Sequence, residues 1–456
     1  MSNAKQAEAR LVQGPIGRGL LRLTAPMILG ITASIGAGIV EAFFLAQVGT
    51  DELAAYSFTF PVTSAVMSLS LGISIGVSSV LARTVGSGNQ AEVKRLASDG
   101  LSLVALVMVI VSFIGWVTIE PLFSLLGADA TTLPLIVDYM SVYYFSLVLL
   151  AVPSVGANAL RATGDASISG TIMVSGSILQ MIIGPFLIFG LLGLPALGLA
   201  GAAWANLIAR LLVFAITLYV LAYRERLLTY TNLTIQAVTA SWRKILVVSI
   251  PATATNLIGP VSTAVIVSLL ASFSQETVAG FGIASRIEGL FVIPLFALSA
   301  SIGPFVGQNW GAKAFLRANE AMRLTFQWSL LWGAVVAVLL YLLRYPLIHQ
   351  FDSTPSVADV AADYLVFLPI SYGAWGIIMM TSAIFNALGH PLRSTILSIA
   401  RMFLIYLPLA YLLSAWLDAV GVFLAAAAAN VIVAIVGYFW NRSTFGVKLD
   451  KEAERA

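Results

Sequence analysis

The chain contains no cysteine. That absence excludes disulfides, thiolate metal sites and a cysteine nucleophile. Histidine is nearly absent too: His349 and His390 are the two present. Both fall in expected loops and read as plain polar residues, so no metal site is expected. No G-x-x-x-x-G-K-[ST] stretch occurs, so no phosphate-cradling loop of that kind serves an ATP engine. No catalytic constellation emerges, and the chain is not expected to be an enzyme. Charge is scarce as well. Charged residues make up 10%, against about 25% in a soluble domain. So little charge cannot clothe an ordinary water-soluble surface. The net charge of +3 is no nucleic-acid signature, because the basic residues follow membrane sidedness.

What the chain has in abundance is apolar sequence. Hydrophobic residues make up 59% of its 456 positions. Residues 101–119 carry no charge, and neither do residues 166–209. A spanning helix needs roughly 20 apolar residues, so the second run holds two helices joined at the Gly190–Pro195 turn. Runs this long favour helices over a barrel of alternating ten-residue strands. Run lengths and breakers predict twelve spans, starting near Leu23, Ala55, Ala97, Pro134, Ala166, Leu199, Ile245, Val278, Arg323, Asp363, Leu392 and Gly421. The fold class is therefore an all-α polytopic membrane protein.

The loops alternate in charge if residue 1 is cytoplasmic. Twenty of the 24 Lys and Arg then lie inside, from Lys5, Arg10, Arg18 and Arg22 through Arg442, Lys448, Lys451 and Arg455. Arg344 lies outside with Asp51, Glu52, Glu120, Asp129, Glu276, Asp352, Asp359 and Asp418. This is the positive-inside pattern, and it predicts both termini in the cytoplasm. Residues 1–22 are polar and basic with no short apolar core and cleavage site, which argues against a removed signal peptide.

The chain also repeats itself at an offset of 225. Pro26 falls on Pro251, Asp51 on Glu276, Ala54 on Ala279 and Gly86 on Gly311. Asp138-Tyr139 falls on Asp363-Tyr364, and Gly164 on Gly389. Six helices per half return the chain to its starting side, so the halves share an orientation and form two pseudo-symmetric lobes. The expected division is a cytoplasmic arm at 1–22, an N-terminal six-helix lobe at 23–222, a cytoplasmic linker at 223–244, a C-terminal lobe at 245–440 and a solvated tail at 441–456.

Five charges remain deep in spans: Glu41, Arg210, Arg286, Glu288 and Arg401. A charge at the bilayer centre costs about 2.5–3.5 kcal/mol on insertion scales. Such groups persist where they face a cavity or find a partner. Glu41 has no basic residue within a helical turn. A carboxyl that switches between neutral and charged can carry a proton, attract a cation or hold sodium. The alternative is a permanent bond to an arginine on another helix, such as Arg210. Arg286 and Glu288 are two apart on one helix and do not face each other. Arg401 is a plausible partner for Glu288, as a fixed brace, and substrate contact is the other reading. Trp375 and Met379 lie on one stripe with Met380 and Phe385; the stripe reads as packing, or as a pocket for apolar cations. Asn158, Gln180 and Asn206 are polar residues in apolar helices and read first as helix-to-helix hydrogen bonds. Pro26, Gly30, Gly36 and Gly38 make the first helix bendable.

Local patterns add a family resemblance. Pro26 precedes an acid in helix 1, followed by Gly49-Thr50-Asp51-Glu52-Leu53-Ala54-Ala55. Arg161-Ala162-Thr163-Gly164-Asp165 follows helix 4, and Ser285-Arg286-Ile287-Glu288 leads to Pro304-Phe305-Val306-Gly307-Gln308-Asn309-Trp310-Gly311-Ala312. Asn386-Ala387-Leu388-Gly389-His390-Pro391 completes the set. Over residues 20–440 the chain resembles a multidrug and toxic compound extrusion (MATE) transporter. The resemblance implies two six-helix lobes in a V around a central cavity, export of organic cations or amphiphiles in exchange for protons or sodium, and a coupling role for Glu41. Family members commonly carry Asp in helix 1, where this chain has Glu. The Asn and Asp four apart on helix 5 of related proton-coupled members are Gln180 and Gly184 here, and the acid some members carry on helix 7 is absent from Pro251–Pro260. A lone Glu fits proton exchange better than a multi-oxygen sodium site. No cofactor beyond the coupling ion is expected, and the partners are the small-molecule cargo and membrane lipids, with the chain a monomer. A competing reading is a flippase for a lipid-linked substrate of the same broad superfamily, which Arg210, Arg286 and Arg401 would suit.

Overall fold

A computed structural model describes residues 9–229, 234–352 and 354–453. The described residues form helices and short connections, with no strand among them. Lys5 and Arg455 of the charge pattern lie outside the described residues.

Sixteen α-helices succeed one another: α1 (Ile16–Val48), α2 (Thr50–Gly86), α3 (Gln90–Val117), α4 (Ile119–Leu125), α5 (Thr132–Phe145), α6 (Leu147–Ala162), α7 (Ala166–Phe189) and α8 (Gly198–Tyr219), then α9 (Ile235–Ala271), α10 (Gln275–Phe291), α11 (Ile293–Gly311), α12 (Phe315–Ile348), α13 (Pro355–Phe367), α14 (Tyr372–Ala387), α15 (Pro391–Ile399) and α16 (Leu407–Ala453). They resolve into twelve spans. Helices α5 and α6 are two arms of one span bent by 46°, and α10 and α11 of another bent by 48°. Helices α13 and α14 make one more around a 3₁₀ turn at Pro369–Ser371. A π-helical stretch, Ala400–Tyr406, joins α15 to α16, and α16 itself breaks at Asp418, whose φ is 47°. The chain is a multi-pass membrane protein.

Helix ends differ from the apolar runs for one reason. Run length measures hydrocarbon, whereas helices overshoot into the interface. Helix α2 starts at Thr50 rather than near Ala55, with Asp51 and Glu52 in its first turn, where the helix dipole favours acids. Helix α3 starts at Gln90 rather than near Ala97, because the Asn89 side chain accepts the Glu92 N–H at 3.2 Å, a cap that needs no lipid. Helix α9 begins ten residues before Ile245 and takes up half of the expected linker. The expected solvated tail continues as helix to Ala453, with Asn441 and Phe445 buried.

Contacts divide the chain into two units. The first gathers Ala25–Ser249; the second gathers Leu11–Thr24 with the residues from Ile250 on. Residues 11–24 are thus no free arm. Leu11, Leu20 and Leu23 are buried, and the Leu11 N–H donates to Gln308 Oε1 at 3.0 Å. The first unit packs an apolar core from α2, α3, α5, α6 and α8, including Leu81, Leu103, Met140 and Leu160. The second packs Leu270, Leu295, Leu340, Leu365 and Phe423.

The 225-residue repeat is visible in side chains. Ser146, at the bend of the fourth span, donates to the Tyr143 carbonyl at 2.7 Å. Ser371, 225 residues on and at the break of the tenth span, donates to the Leu368 carbonyl at 2.8 Å. Tyr56 and Tyr139 meet edge to face with centroids 5.8 Å apart, and their counterparts Phe281 and Tyr364 do so at 5.6 Å.

Candidate functional site

Within the first unit, three helices converge on one carboxyl. Glu41 of α1 is 8% exposed. Gln180 Nε2 of α7 donates to its Oε2 at 2.8 Å, and Asn206 Nδ2 of α8 donates to its Oε1 at 2.8 Å. Tyr56 of α2 brings its hydroxyl to the same group. Tyr139 lies beside it, stacked on Tyr143 at 6.2 Å. A small cavity with room for about one water adjoins the carboxyl, lined by Val40, Phe44, Gln180, Gly184 and Ala202.

Close helix approach makes this arrangement possible. A Cβ on Gly201 would collide with the Leu187 carbonyl, and one on Gly170 would sit 2.6 Å from the Pro26 carbonyl. Small residues let backbones touch where lipid offers no hydrophobic drive. Gly201 holds α8 against α7, and Gly170 holds α7 against α1. The two amides therefore arrive at Glu41 from helices that cannot drift apart.

Arg210 does not pair with Glu41. Its Nη1 donates to Ser146 Oγ at 2.5 Å, and its guanidinium lies 5.1 Å from the centre of the Tyr143 ring. Among the described residues the two form no salt bridge. The partners of Glu41 are amides and phenols. Each can donate to a carboxylate or accept from a protonated acid. A guanidinium can only donate, and would bind one state alone. The site is thus built to satisfy both states of one acid.

The second unit holds a different acid cluster. Glu288 of α10 accepts from the Tyr364 hydroxyl of α13. The expected Glu288–Arg401 salt bridge does not form among the described residues. Arg401 Nη1 donates instead to Asn430 Oδ1 at 3.0 Å, and Asn430 Nδ2 donates to Ser371 Oγ at 3.0 Å. Arg401, on the π-helical stretch, is thereby tied to α16, while still near enough to Glu288 to act on it through space. Arg286 is exposed on its unit and forms no salt bridge among the described residues. Trp375 and Met379 are partly buried; Trp375 packs edge to face on Phe296 at 6.0 Å, and the Met379 carbonyl accepts from Ser299 Oγ at 3.2 Å. Asn158 turns away from Glu41: its Nδ2 donates to the Ser154 carbonyl one turn back at 2.9 Å.

Of the first-half candidates, then, Gln180 and Asn206 reach Glu41, whereas Asn158 and Arg210 do not. Residue patterns missed Tyr56, Tyr139 and Ser146. Tyr139 stood out as a repeat landmark, which was the available signal for it. A further surprise is Arg161, expected in an inner loop but 7% exposed, with its Nη1 donating to Ser169 Oγ at 2.7 Å.

Duplicated six-helix halves, with an acid buried among amides and phenols in the first and an acid bonded to a phenol in the second, define a membrane transporter of small solutes rather than an enzyme. A family model described as MatE matches residues 26–186 and again 251–412, two matches that start 225 residues apart. The chain belongs to the MATE family. Members carry small molecules across membranes at the expense of ion gradients. The chain is similar to the FAD transporter of Shewanella oneidensis, at 37% identity over 430 residues, 94% of this chain and 95% of that protein. It is also similar to the multidrug export protein MepA of Staphylococcus haemolyticus, at 21% identity, covering 94% and 93%. Among solved structures it matches the Vibrio cholerae MATE transporter VcmN in the bent form, with TM-score 0.90, 27% identity, and 95% of this chain and 98% of that chain covered.

Proposed function

We propose that this chain is an antiporter of the cell (inner) membrane, exporting organic amphiphiles, cations among them, in exchange for protons carried by Glu41. One observation bears most of the weight: both oxygens of Glu41 are held at 2.8 Å by neutral amides, with no arginine bound to it. Such an acid can load and unload a proton without breaking its shell. The shell turns N–H and O–H donors toward the carboxyl, from Gln180, Asn206 and Tyr56, an arrangement that suits a proton-carrying acid better than a sodium site, which needs oxygens turned inward. Pro26 removes a backbone N–H inside α1, so α1 has a natural bending point 15 residues before Glu41, and bending there would move the acid between wet and dry settings. The charge pattern of the loops supports cytoplasmic termini, and exposed apolar side chains on each unit, such as Phe113 and Trp416, support contact with lipid.

The cargo has a second reading. The relative at 37% identity is named an FAD transporter, and an aromatic dinucleotide is a large anionic amphiphile. Exposed Arg286 would suit its phosphates. Cells expressing the chain should retain less ethidium or norfloxacin if cations are cargo, and should release more flavin dinucleotide if that is the cargo. Glu41→Gln should return either to the level of cells without the transporter. Unchanged handling of both by the wild-type protein would sink the export reading and favour a lipid-linked substrate.

A further inference from the structure

We propose that the first unit binds the phosphate-bearing headgroup of an anionic membrane lipid, in a cleft between the starts of α3 and α9. The cleft has a volume of about 880 Å³, inside the roughly 300–1,000 Å³ range of ligand sites. Both walls follow from helix spacing. Ala91, Lys94 and Arg95 share one face of α3, and Ala237, Ala240 and Lys244 share one face of α9, at the three- and four-residue steps that bring side chains together. The alanine methyls leave the space open where larger side chains would close it.

Three cations among the described residues line this cleft, Lys94, Arg95 and Lys244, against one acid, Glu92. Glu92 is already engaged: its Oε1 accepts from Lys244 Nζ at 2.8 Å, and its Oε2 from Asn89 Nδ2 at 3.1 Å. The Lys94 ammonium forms no salt bridge among the described residues. Arg95 Nε stands 3.6 Å from Asp99 Oδ2, beyond hydrogen-bond length. Two half-buried cations, Lys94 and Arg95, therefore face the cleft with donors to spare. A phosphodiester brings one negative charge and acceptor oxygens, which guanidinium and ammonium groups bind well.

Depth favours a lipid over a soluble phosphate. The charge-free run of α3 starts at Leu101, seven residues after Lys94 (101 − 94 = 7), or about 10 Å along a helix. Trp242 of α9 donates its indole N–H to the Asp99 carbonyl at 2.9 Å, and tryptophan favours the membrane–water boundary. The cleft thus stands at headgroup level. The loop charge pattern supports the cytoplasmic side, where anionic lipids draw basic side chains. A lipid seated here ties α3 to the first turns of α9, beside the Lys244–Glu92 bridge between the same helices. The site is separate from Glu41 and holds whichever ion or cargo is carried.

Native mass spectrometry of the purified full chain, titrated with phosphatidylglycerol and separately with neutral phosphatidylcholine, tests the site. One phosphatidylglycerol should bind ahead of the rest, and phosphatidylcholine should show no such first site. Lys94→Gln together with Arg95→Gln should weaken that first binding about 25-fold, at about fivefold per cation. Ala240→Phe keeps every charge but fills the cleft, so it should weaken the same binding and leave later, weaker binding unchanged. It also serves if the double variant does not fold. Arg442→Gln removes an exposed cation elsewhere and should change nothing. Equal first binding of both lipids, first binding untouched by Ala240→Phe, or an equal loss from Arg442→Gln would overturn the proposal. So would displacement of phosphatidylglycerol by equimolar inorganic phosphate, which would assign the cleft to a soluble anion.

Discussion

Side chains around Glu41 fix what single substitutions should do. Glu41→Gln keeps the shape and a hydrogen-bonding head, so the protein should fold, yet it removes the group that can ionise. Active export should fall to background, measured as drug retention in cells at equal expression; retained resistance would contradict the coupling role. Asn206→Ala leaves one buried carboxyl oxygen without its N–H donor, a loss of about 1–3 kcal/mol that a lower thermal unfolding temperature should report. Arg401→Ala should also lower stability, but through Asn430 rather than Glu288, because the buried Asn430 loses its 3.0 Å donor. Asn430→Ala should then abolish most of the further effect of Arg401→Ala in a double-mutant cycle; additive effects would argue against that linkage. Outside the membrane, Asp129 gives a pH effect. Its carboxylate accepts from the Thr132 and Thr131 backbone N–H groups at 2.8 and 3.1 Å and from both hydroxyls at 2.8 Å. These bonds hold it down at about 2. Its contribution to the entry of α5 is therefore present above the usual carboxylate range and lost as pH falls toward about 2. Asp129→Asn should remove that acid-side slope from a stability–pH profile.

Legibility in the sequence differed by residue. An isolated acid inside an apolar run is visible without coordinates, because its cost demands a reason. Gln180 and Asn206 were visible as polar residues, but their shared target was not: they lie 139 and 165 positions from Glu41, and periodicity carries no long-range contact. Asn158 looks the same in sequence, yet it bonds back to its own helix. The Glu288–Arg401 pair was plausible by charge alone, but Arg401 bonds Asn430, 29 positions on, and acts on Glu288 only through space; no residue pattern announced that partner.

Elements repeat this contrast. Twelve spans and the duplicated halves were readable from run lengths and a constant offset. Broken spans were not, since Ser146 and Ser371 are ordinary residues in apolar sequence. Their shared back-bonds and their links to Arg210 and, through Asn430, to Arg401 indicate that each half keeps a bend beside its acid. The α7–α8 contact is the most sensitive element. Gly201→Val would drive a side chain into the Leu187 carbonyl. Overpacking of this kind costs about 1–3 kcal/mol, and it should separate Gln180 from Asn206. The expected outcome is lower thermal stability together with reduced export; a variant with wild-type values for both would show that the clamp tolerates spreading.

For the whole molecule, the central claim is that proton movement at Glu41 drives cargo out. The direct test is transport by purified protein in proteoliposomes, with a proton gradient and a sodium gradient imposed separately. The account predicts uptake of cargo into proton-loaded vesicles under the proton gradient, none above leak under sodium alone, and none under either with Glu41→Gln. Uptake driven by sodium alone, or proton-driven uptake that survives Glu41→Gln, would contradict it.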